Sequence, residues 1–419
     1  MRDIFTFIAA MLLMIPIGFF NRYIFTNGNL LVLGMLVTLS ALLLTRGRLP
    51  CSRAFSAAIL TFLVFVFYAW SRLDDPFAFD IDAQVLETYA SGSMMVLEQL
   101  IYLLLFVASA VIYAKTRKFN RFLWFVICIY IVMFILRQGF DLEGLRTGYN
   151  LSPGFVLISL LPFTFLQARS SHDLVLPVSL SLLCIFWLGL IGSRSAFISI
   201  TIFLIAFYLW PWMTKTRRRY NLVFFGLSIG IVALYVIYLT LTVSEVDFAL
   251  SADGDSMFNI LNKRIGTRLD IWRHLVYLIS LEPVIGYGMD AATMLVSPVP
   301  HLEFGINRND LSAHSLYLEI LYRLGVMGLL LFTCFMFMLW RLFWIGRMQL
   351  IARIGAAYLA ALLLFSSTAD FIVLTTMSLQ SGFVWCFLGI AAGASLRAKA
   401  DAGRMHCKMA DKEISYGCG

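Results

Sequence analysis

The chain has 419 residues, of which 61% are hydrophobic and 13% charged, with a formal net charge of +8. A mean hydropathy of +0.86 and repeated apolar runs of about 20 residues exclude a water-soluble fold, because such runs cross the hydrocarbon core of a membrane as helices. The runs do not alternate in polarity, which excludes a β-barrel. The bases form short clusters between the runs, as orientation signals do, so the positive charge does not point to nucleic acid.

The expected fold is an all-α integral membrane protein of about twelve transmembrane helices. In chain order the spans are 4–20, 28–45, 54–70, 95–114, 120–137, 152–168, 174–192, 195–212, 221–243, 314–340, 351–369 and 375–396. Met1 to Phe20 is apolar with Arg2 in front, and no small-residue cleavage site follows Phe20, so it reads as a retained first span. Pro153 and Pro162 interrupt the sixth span, and the last two are joined by a short turn around Asp370.

Lys and Arg gather in alternate connections. One set holds Arg46, Arg48, Arg53, Lys115, Arg117, Lys118, Arg121, Arg169, Lys215, Arg217, Arg218, Arg219, Arg341, Arg347, Arg353 and the tail bases; with Arg2 this is 21 of the 32. The positive-inside rule makes that set cytoplasmic and puts both termini there. The opposite set is richer in acid, with Arg72 followed by Asp74, Asp75, Asp80, Asp82 and Glu87. Residues 1–396 read as one transmembrane domain, and 397–419 as a polar cytoplasmic tail without fixed structure.

The longest outer connection, 244–313, is too polar to span. Within it, 264–281 has helical spacing: Ile265, Leu269, Trp272, Val276 and Ile279 form an apolar stripe, while Arg264 and Arg268 share a face four residues apart. This predicts an amphipathic helix on the outer membrane surface. Glu282-Pro283 ends it, and Gly286-Tyr287-Gly288 makes a turn.

Three residues at outer span edges carry the chemistry. Arg194 lies in Gly192-Ser-Arg-Ser-Ala196. It is either a snorkelling helix-end base or, beside the free N–H groups of a helix start, part of an anion site. Arg268 is either a headgroup anchor, shared with Lys263, Arg264 and Arg273, or a bidentate phosphate clamp. His314 opens a long apolar helix. A lone His is more often structural, but imidazole titrates near neutrality and can take a proton from a hydroxyl. Tyr317 and Glu319 are candidate supports, and Arg323 needs an acceptor, with Glu319 four residues before it. Arg137, Asp141, Glu143 and Arg146 are either mutual ion pairs or a sugar rim.

The seven cysteines are Cys51, Cys128, Cys184, Cys334, Cys386, Cys407 and Cys418. None falls in an outer segment, so no outer disulfide is expected, and none has zinc spacing. The sequence has no Walker loop, no dinucleotide fingerprint and no His-Glu-x-x-His. Asp80-Ile-Asp82 is an outer Asp-x-Asp, in a loop that is acidic throughout.

At Gly192-Ser-Arg194-Ser-Ala196, Arg268-Leu-Asp-Ile-Trp272, Glu282-Pro-Val-Ile-Gly286-Tyr-Gly288 and Ala313-His314-Ser-Leu-Tyr317, running on to Arg323-Leu-Gly325, the chain resembles the O-antigen ligase/polymerase superfamily of bacterial envelope glycosyltransferases. The likeness covers roughly 185 to 340. His314 to Gly325 fits the family's His-to-Gly spacing of ten intervening residues. The companion Arg-to-Gly spacing is not met, since Leu275, Ile279 and Val284 stand at that distance from Arg264, Arg268 and Arg273.

The resemblance implies a glycan donor on undecaprenyl diphosphate at the periplasmic face of the bacterial inner membrane. It implies transfer to an acceptor hydroxyl, of lipid A-core for a ligase or of a second lipid-linked repeat for a polymerase, without metal, nucleotide or other cofactor. Arg194 and Arg268 would hold the diphosphate, His314 would serve as base, and Arg264, Tyr317 and Glu319 would support them. The ligase is the preferred form. A lipid-linked glycan transporter is the rival; such proteins tend to show internal repeats and mid-membrane charges, neither of which is visible here. A non-enzymatic glycan-binding assembly partner is a third reading.

Overall fold

The computed structural model describes residues 52–74, 92–115, 128, 131–132, 157–167, 172–190, 193–213, 272, 275–289, 315–367 and 381–398. The expected spans 4–20, 28–45 and 221–243, the tail beyond 398, and most of the 244–313 connection lie outside the described residues, as does nearly all of 120–137. Among the described residues the regular structure is entirely helical.

Among the described residues seven long helices carry the architecture: α1 (Arg53–Trp70), α2 (Gly92–Lys115), α3 (Val175–Leu190), α4 (Arg194–Met213), α5 (Leu316–Ile345), α6 (Leu350–Phe365) and α7 (Ser381–Ala398). Each falls within a few residues of an expected span. α1, α5 and α7 are long and apolar enough to cross a membrane. At 1.5 Å per residue the 30 residues of α5 extend about 45 Å, more than the hydrocarbon core requires. The sixth expected span departs from a continuous α-helix: 157–160 is helical, but Leu161–Gln167 tightens to a 3-10 helix at Pro162, whose ring and missing N–H disrupt an α-helical interior.

α1 shows why these sequences pair as they do. Ser52 caps it, its Oγ accepting from Phe55 N–H at 3.4 Å, which satisfies one of the free donors of the first turn. Phe55, Ala58, Phe62, Phe65 and Ala69 recur at alternating spacings of three and four and are all buried, forming one stripe. Leu60 and Phe67 on other faces are exposed by 61% and 70%, as suits a helix with lipid on one side. The buried stripe meets α5, with Phe62 and Phe335 rings 4.7 Å apart and Phe65 and Phe332 rings 6.1 Å apart. As numbers rise along α1 they fall along α5, so the two helices are antiparallel. Trp385 of α7 sits where α1, α2 and α5 converge, 5.0 Å from Phe62, 5.9 Å from Tyr102 and 5.8 Å from Phe335 by ring centroid.

α4 packs on α6 and α5 packs on both α1 and α6. One end of this group is marked by base and tryptophan. Trp210 lies 5.3 Å from Trp340 and 5.5 Å from Trp344. Arg353 stands 4.2 Å over the Phe207 ring and donates to Phe207 O at 2.7 Å. Arg347 and Arg353 belong to the set expected in the cytoplasm, and amphipathic aromatics favour the membrane–water boundary. The last turns of α4 and α5 meet here with the first turn of α6. Their other termini, the start of α4 at Arg194, the start of α5 at Leu316 and the end of α6 at Phe365, therefore lie together at the opposite end.

Candidate functional site

At that opposite end α5 is broken and another segment is knitted into the break. Gly325 has φ 63° and ψ −167° inside an otherwise helical run, a conformation essentially confined to glycine. A helix broken there loses the bonds that would join carbonyls 322–324 to the following amides. Residues 283–288 and α1 take them up. Tyr287 N–H donates to Tyr322 O at 2.9 Å and Gly288 N–H to Arg323 O at 2.9 Å. In return Val326 N–H donates to Pro283 O at 2.9 Å and Met327 N–H to Val284 O at 3.2 Å. Tyr68 OH of α1 donates to Leu324 O at 3.1 Å. The hydrogen-bonded turn lies at 283–285, just before the expected Gly286-Tyr287-Gly288, where the chain bends at Tyr287, and the backbone of 283–288 replaces the missing helical bonds. Its fit is close: a side chain on Gly286 (φ 69°) would meet the Arg323 carbonyl carbon at 2.6 Å.

Charged side chains extend this dock. Arg323 donates from Nε to Glu319 Oε1 at 2.5 Å and from Nη1 to Met289 O. Both residues are buried, 5% and 6% exposed, which makes the ion pair expected from their four-residue spacing an interior one. Arg72, just past α1, donates from Nη2 to Gly286 O at 3.0 Å, and its own carbonyl accepts from Met289 N–H at 2.9 Å. Among the described residues, Glu319 Oε2 has no hydrogen-bond partner, nor have the hydroxyls of Ser315 and Ser366. Ser315 is the N-cap of α5 in extended conformation, yet its hydroxyl does not cap the helix. Ser366 O accepts from Leu316 N–H at 2.9 Å, tying the end of α6 to the start of α5.

Of the residues expected to form the site, Arg194 is the first residue of α4, directly after Ser193, and so lies at the same end as the dock. Glu319 is brought into contact with Arg323. Tyr317 donates its hydroxyl to Leu363 O at 2.6 Å, which ties α5 to α6. Arg264, Arg268 and His314 lie outside the described residues. In the expected outer helix, 275–281 is helical, but the stripe is not a single face. Trp272 and Leu275 are buried, whereas Val276, Tyr277 and Leu281 are more than half exposed, so the segment packs on the protein by one side and carries apolar residues on the other. Arg72 was not singled out by sequence. The signal was there, as a lone base heading an acidic loop immediately after a span.

Residues 179–333 match the family model described as O-Antigen ligase. Through that stretch the chain resembles the O-antigen ligase/polymerase superfamily. The match runs through Arg194, Arg264, Arg268, the dock, His314, Glu319, Arg323 and Gly325, and stops short of α6 and α7. The O-antigen ligase-like stretch is completed by partners outside it, since Tyr68, Arg72 and Ser366 all bond into it. No curated protein matches the chain. The family likeness and the apolar helices agree on a membrane protein.

The Arg323–Glu319 pair makes a quantitative expectation. Removing one member of a buried ion pair leaves the other uncompensated and costs about 3–5 kcal/mol, whereas replacing both with apolar groups is often close to neutral. Arg323→Leu should therefore lower the thermal unfolding midpoint in detergent markedly, and adding Glu319→Leu should recover much of the loss. Equal midpoints for wild type and Arg323→Leu would show that the pair has no such weight.

Proposed function

We propose that the protein is a glycan transferase of the periplasmic face of the bacterial inner membrane, moving a glycan from undecaprenyl diphosphate to an acceptor hydroxyl. The observation that carries the reading is the family match over 179–333, which spans Arg194, Arg268 and His314. Arg194 and Arg268 hold the diphosphate and offset the charge that grows on it as the glycosidic bond breaks. The start of α4 supports this role, because the free N–H groups of a helix's first turn favour an anion. His314 takes the proton of the acceptor hydroxyl, with Arg264, Tyr317 and Glu319 in support. The bundle forms one transmembrane domain whose long outer connection carries Arg264 and Arg268, with both termini cytoplasmic. No metal or nucleotide enters the scheme.

The acceptor is lipid A-core, which makes the protein an O-antigen ligase. The alternative within the same superfamily is a second lipid-linked repeat, which makes it a polymerase. The test supplies purified protein in nanodiscs with lipid-linked glycan and chelator, without nucleotide, once with lipid A-core and once without. Glycan appearing on lipid A-core supports the ligase. Lengthened lipid-linked glycan in the absence of lipid A-core replaces the ligase by the polymerase. No transfer in either arm, with lipid-linked glycan crossing a vesicle membrane, leaves the transporter.

A further inference from the structure

The end of the bundle opposite the dock gathers bases without acids. Arg341, Arg347 and Arg353 stand where the last turns of α4 and α5 meet the first turn of α6, and none forms a salt bridge among the described residues. α4, α6 and the part of α5 beyond Gly325 contain no Asp or Glu. Asp173, ahead of α3, is exposed and forms no salt bridge with them. Two of the three guanidinium groups are held in place. Arg353 lies over the Phe207 ring and gives its Nε to Phe207 O at 2.7 Å, which leaves its Nη groups to bind elsewhere. Arg347 lies 5.9 Å over the Trp344 ring. Trp210, three residues after Phe207, donates from Nε1 to Arg347 O at 3.3 Å. Among the described residues the buried Nε of Arg347 has no hydrogen-bond partner, and Nη1 reaches Trp344 O at 3.4 Å. A buried donor without an acceptor costs free energy. Gln349 is the N-cap of α6, yet its side chain does not cap the helix, which leaves first-turn N–H groups open to an anion.

We propose that these arginines and the start of α6 hold the phosphate of an anionic phospholipid from the surrounding bilayer. The apolar surround decides between a lipid and a free ion. Tyr208 and Leu209 of α4, Ile345 at the end of α5 and Met348 in the turn after it are 53%, 48%, 39% and 88% exposed, so acyl chains find apolar surface beside the phosphate. Trp210, packed on Trp340 and Trp344, adds aromatic surface of the kind that sits at headgroup level. Guanidinium grips phosphate oxygens through two parallel bonds and is weakly enough hydrated to do so when partly buried. Basic pockets between helices at a cytoplasmic face take anionic headgroups in this way. The lipid carries net negative charge, as phosphatidylglycerol does, because the ammonium of a zwitterionic headgroup is repelled by guanidinium groups that have no acid beside them. Bound there, it links the turn between α5 and α6 to the end of α4. The site lies at the far end of the bundle from Arg194 and the dock, so the inference goes beyond the transfer reading and does not depend on it.

The test places the full chain in nonionic detergent with an equimolar mixture of phosphatidylglycerol and phosphatidylcholine. Native mass spectrometry counts the lipids that stay on the protein. Wild type is expected to retain phosphatidylglycerol in excess, and Arg347→Gln and Arg341→Gln each to lower that preference about fivefold. Arg341 is exposed, so Arg341→Gln keeps the test open if Arg347→Gln fails to fold. Arg347→Lys keeps the charge without the two-pronged geometry and should fall between wild type and Arg347→Gln. Phosphatidylglycerol should also raise the thermal unfolding midpoint of wild type more than that of Arg347→Gln, since a ligand of the folded state stabilises it. Equal retention of the two lipids by wild type would overturn the proposal, as would an unchanged preference in both glutamine variants. Displacement of phosphatidylglycerol from wild type by millimolar inorganic phosphate would assign the site to the free ion and overturn it as well.

Discussion

His314→Ala is expected to lower the rate of glycan transfer by a factor of about 100 to 10,000, the usual contribution of a positioned base, while binding of lipid-linked glycan survives. His314 directly precedes the fully buried N-cap of α5, at the end of the bundle where α4 begins with Arg194. Truncating it removes the proposed proton acceptor and leaves the proposed diphosphate clamp in place. The measurement is transfer rate beside donor affinity in the same nanodisc preparation. Loss of both together would assign His314 to binding or folding; loss of neither would remove it from the chemistry.

The second large effect falls on Gly325. An alanine there would have to hold φ 63° and ψ −167°, and its Cβ would overlap the Val284 carbonyl. Forcing an L-residue to such a positive φ costs on the order of 1–3 kcal/mol, before the overlap is relieved. The cheaper outcome is that α5 straightens, bonds Val326 N–H back to Tyr322 O, and expels 283–288. Gly325→Ala should therefore abolish transfer and raise hydrogen exchange at the amides of Tyr287, Gly288, Val326 and Met327, while the amides of α6 and α7 stay protected. Unchanged exchange at those four amides would mean that the dock does not depend on the glycine.

Much of this was legible in the sequence, for reasons that differ between parts. The helices followed from apolar length, and α1, α3, α4, α5 and α6 start and stop within a few residues of where hydropathy puts them. The Arg323–Glu319 pair followed from helical spacing, because residues four apart share a face. The change of direction near Gly286-Tyr287-Gly288 was readable in the sequence, but the dock was not. Its partners lie 35 residues on at Tyr322 and Arg323 and more than 200 residues back at Arg72, and a local pattern carries no information on such pairings. Gly325 entered the sequence reading only through its spacing from His314; its positive φ and the clash with Val284 explain why it must be a glycine. The stripe on the outer helix misled because periodicity cannot tell a protein-facing from a lipid-facing side when both are apolar. The hydrogen bond from the Tyr317 hydroxyl to the Leu363 carbonyl joins helices distant in sequence and was not legible either.

The most direct test of the central claim is the fate of the lipid diphosphate. Purified protein in nanodiscs is given doubly labelled lipid-linked glycan and acceptor, and free undecaprenyl diphosphate and transferred glycan are counted over one turnover. The account predicts one diphosphate released for each glycan transferred, with neither released by His314→Ala. Glycan that remains joined to its lipid while the protein binds or moves it would contradict the account.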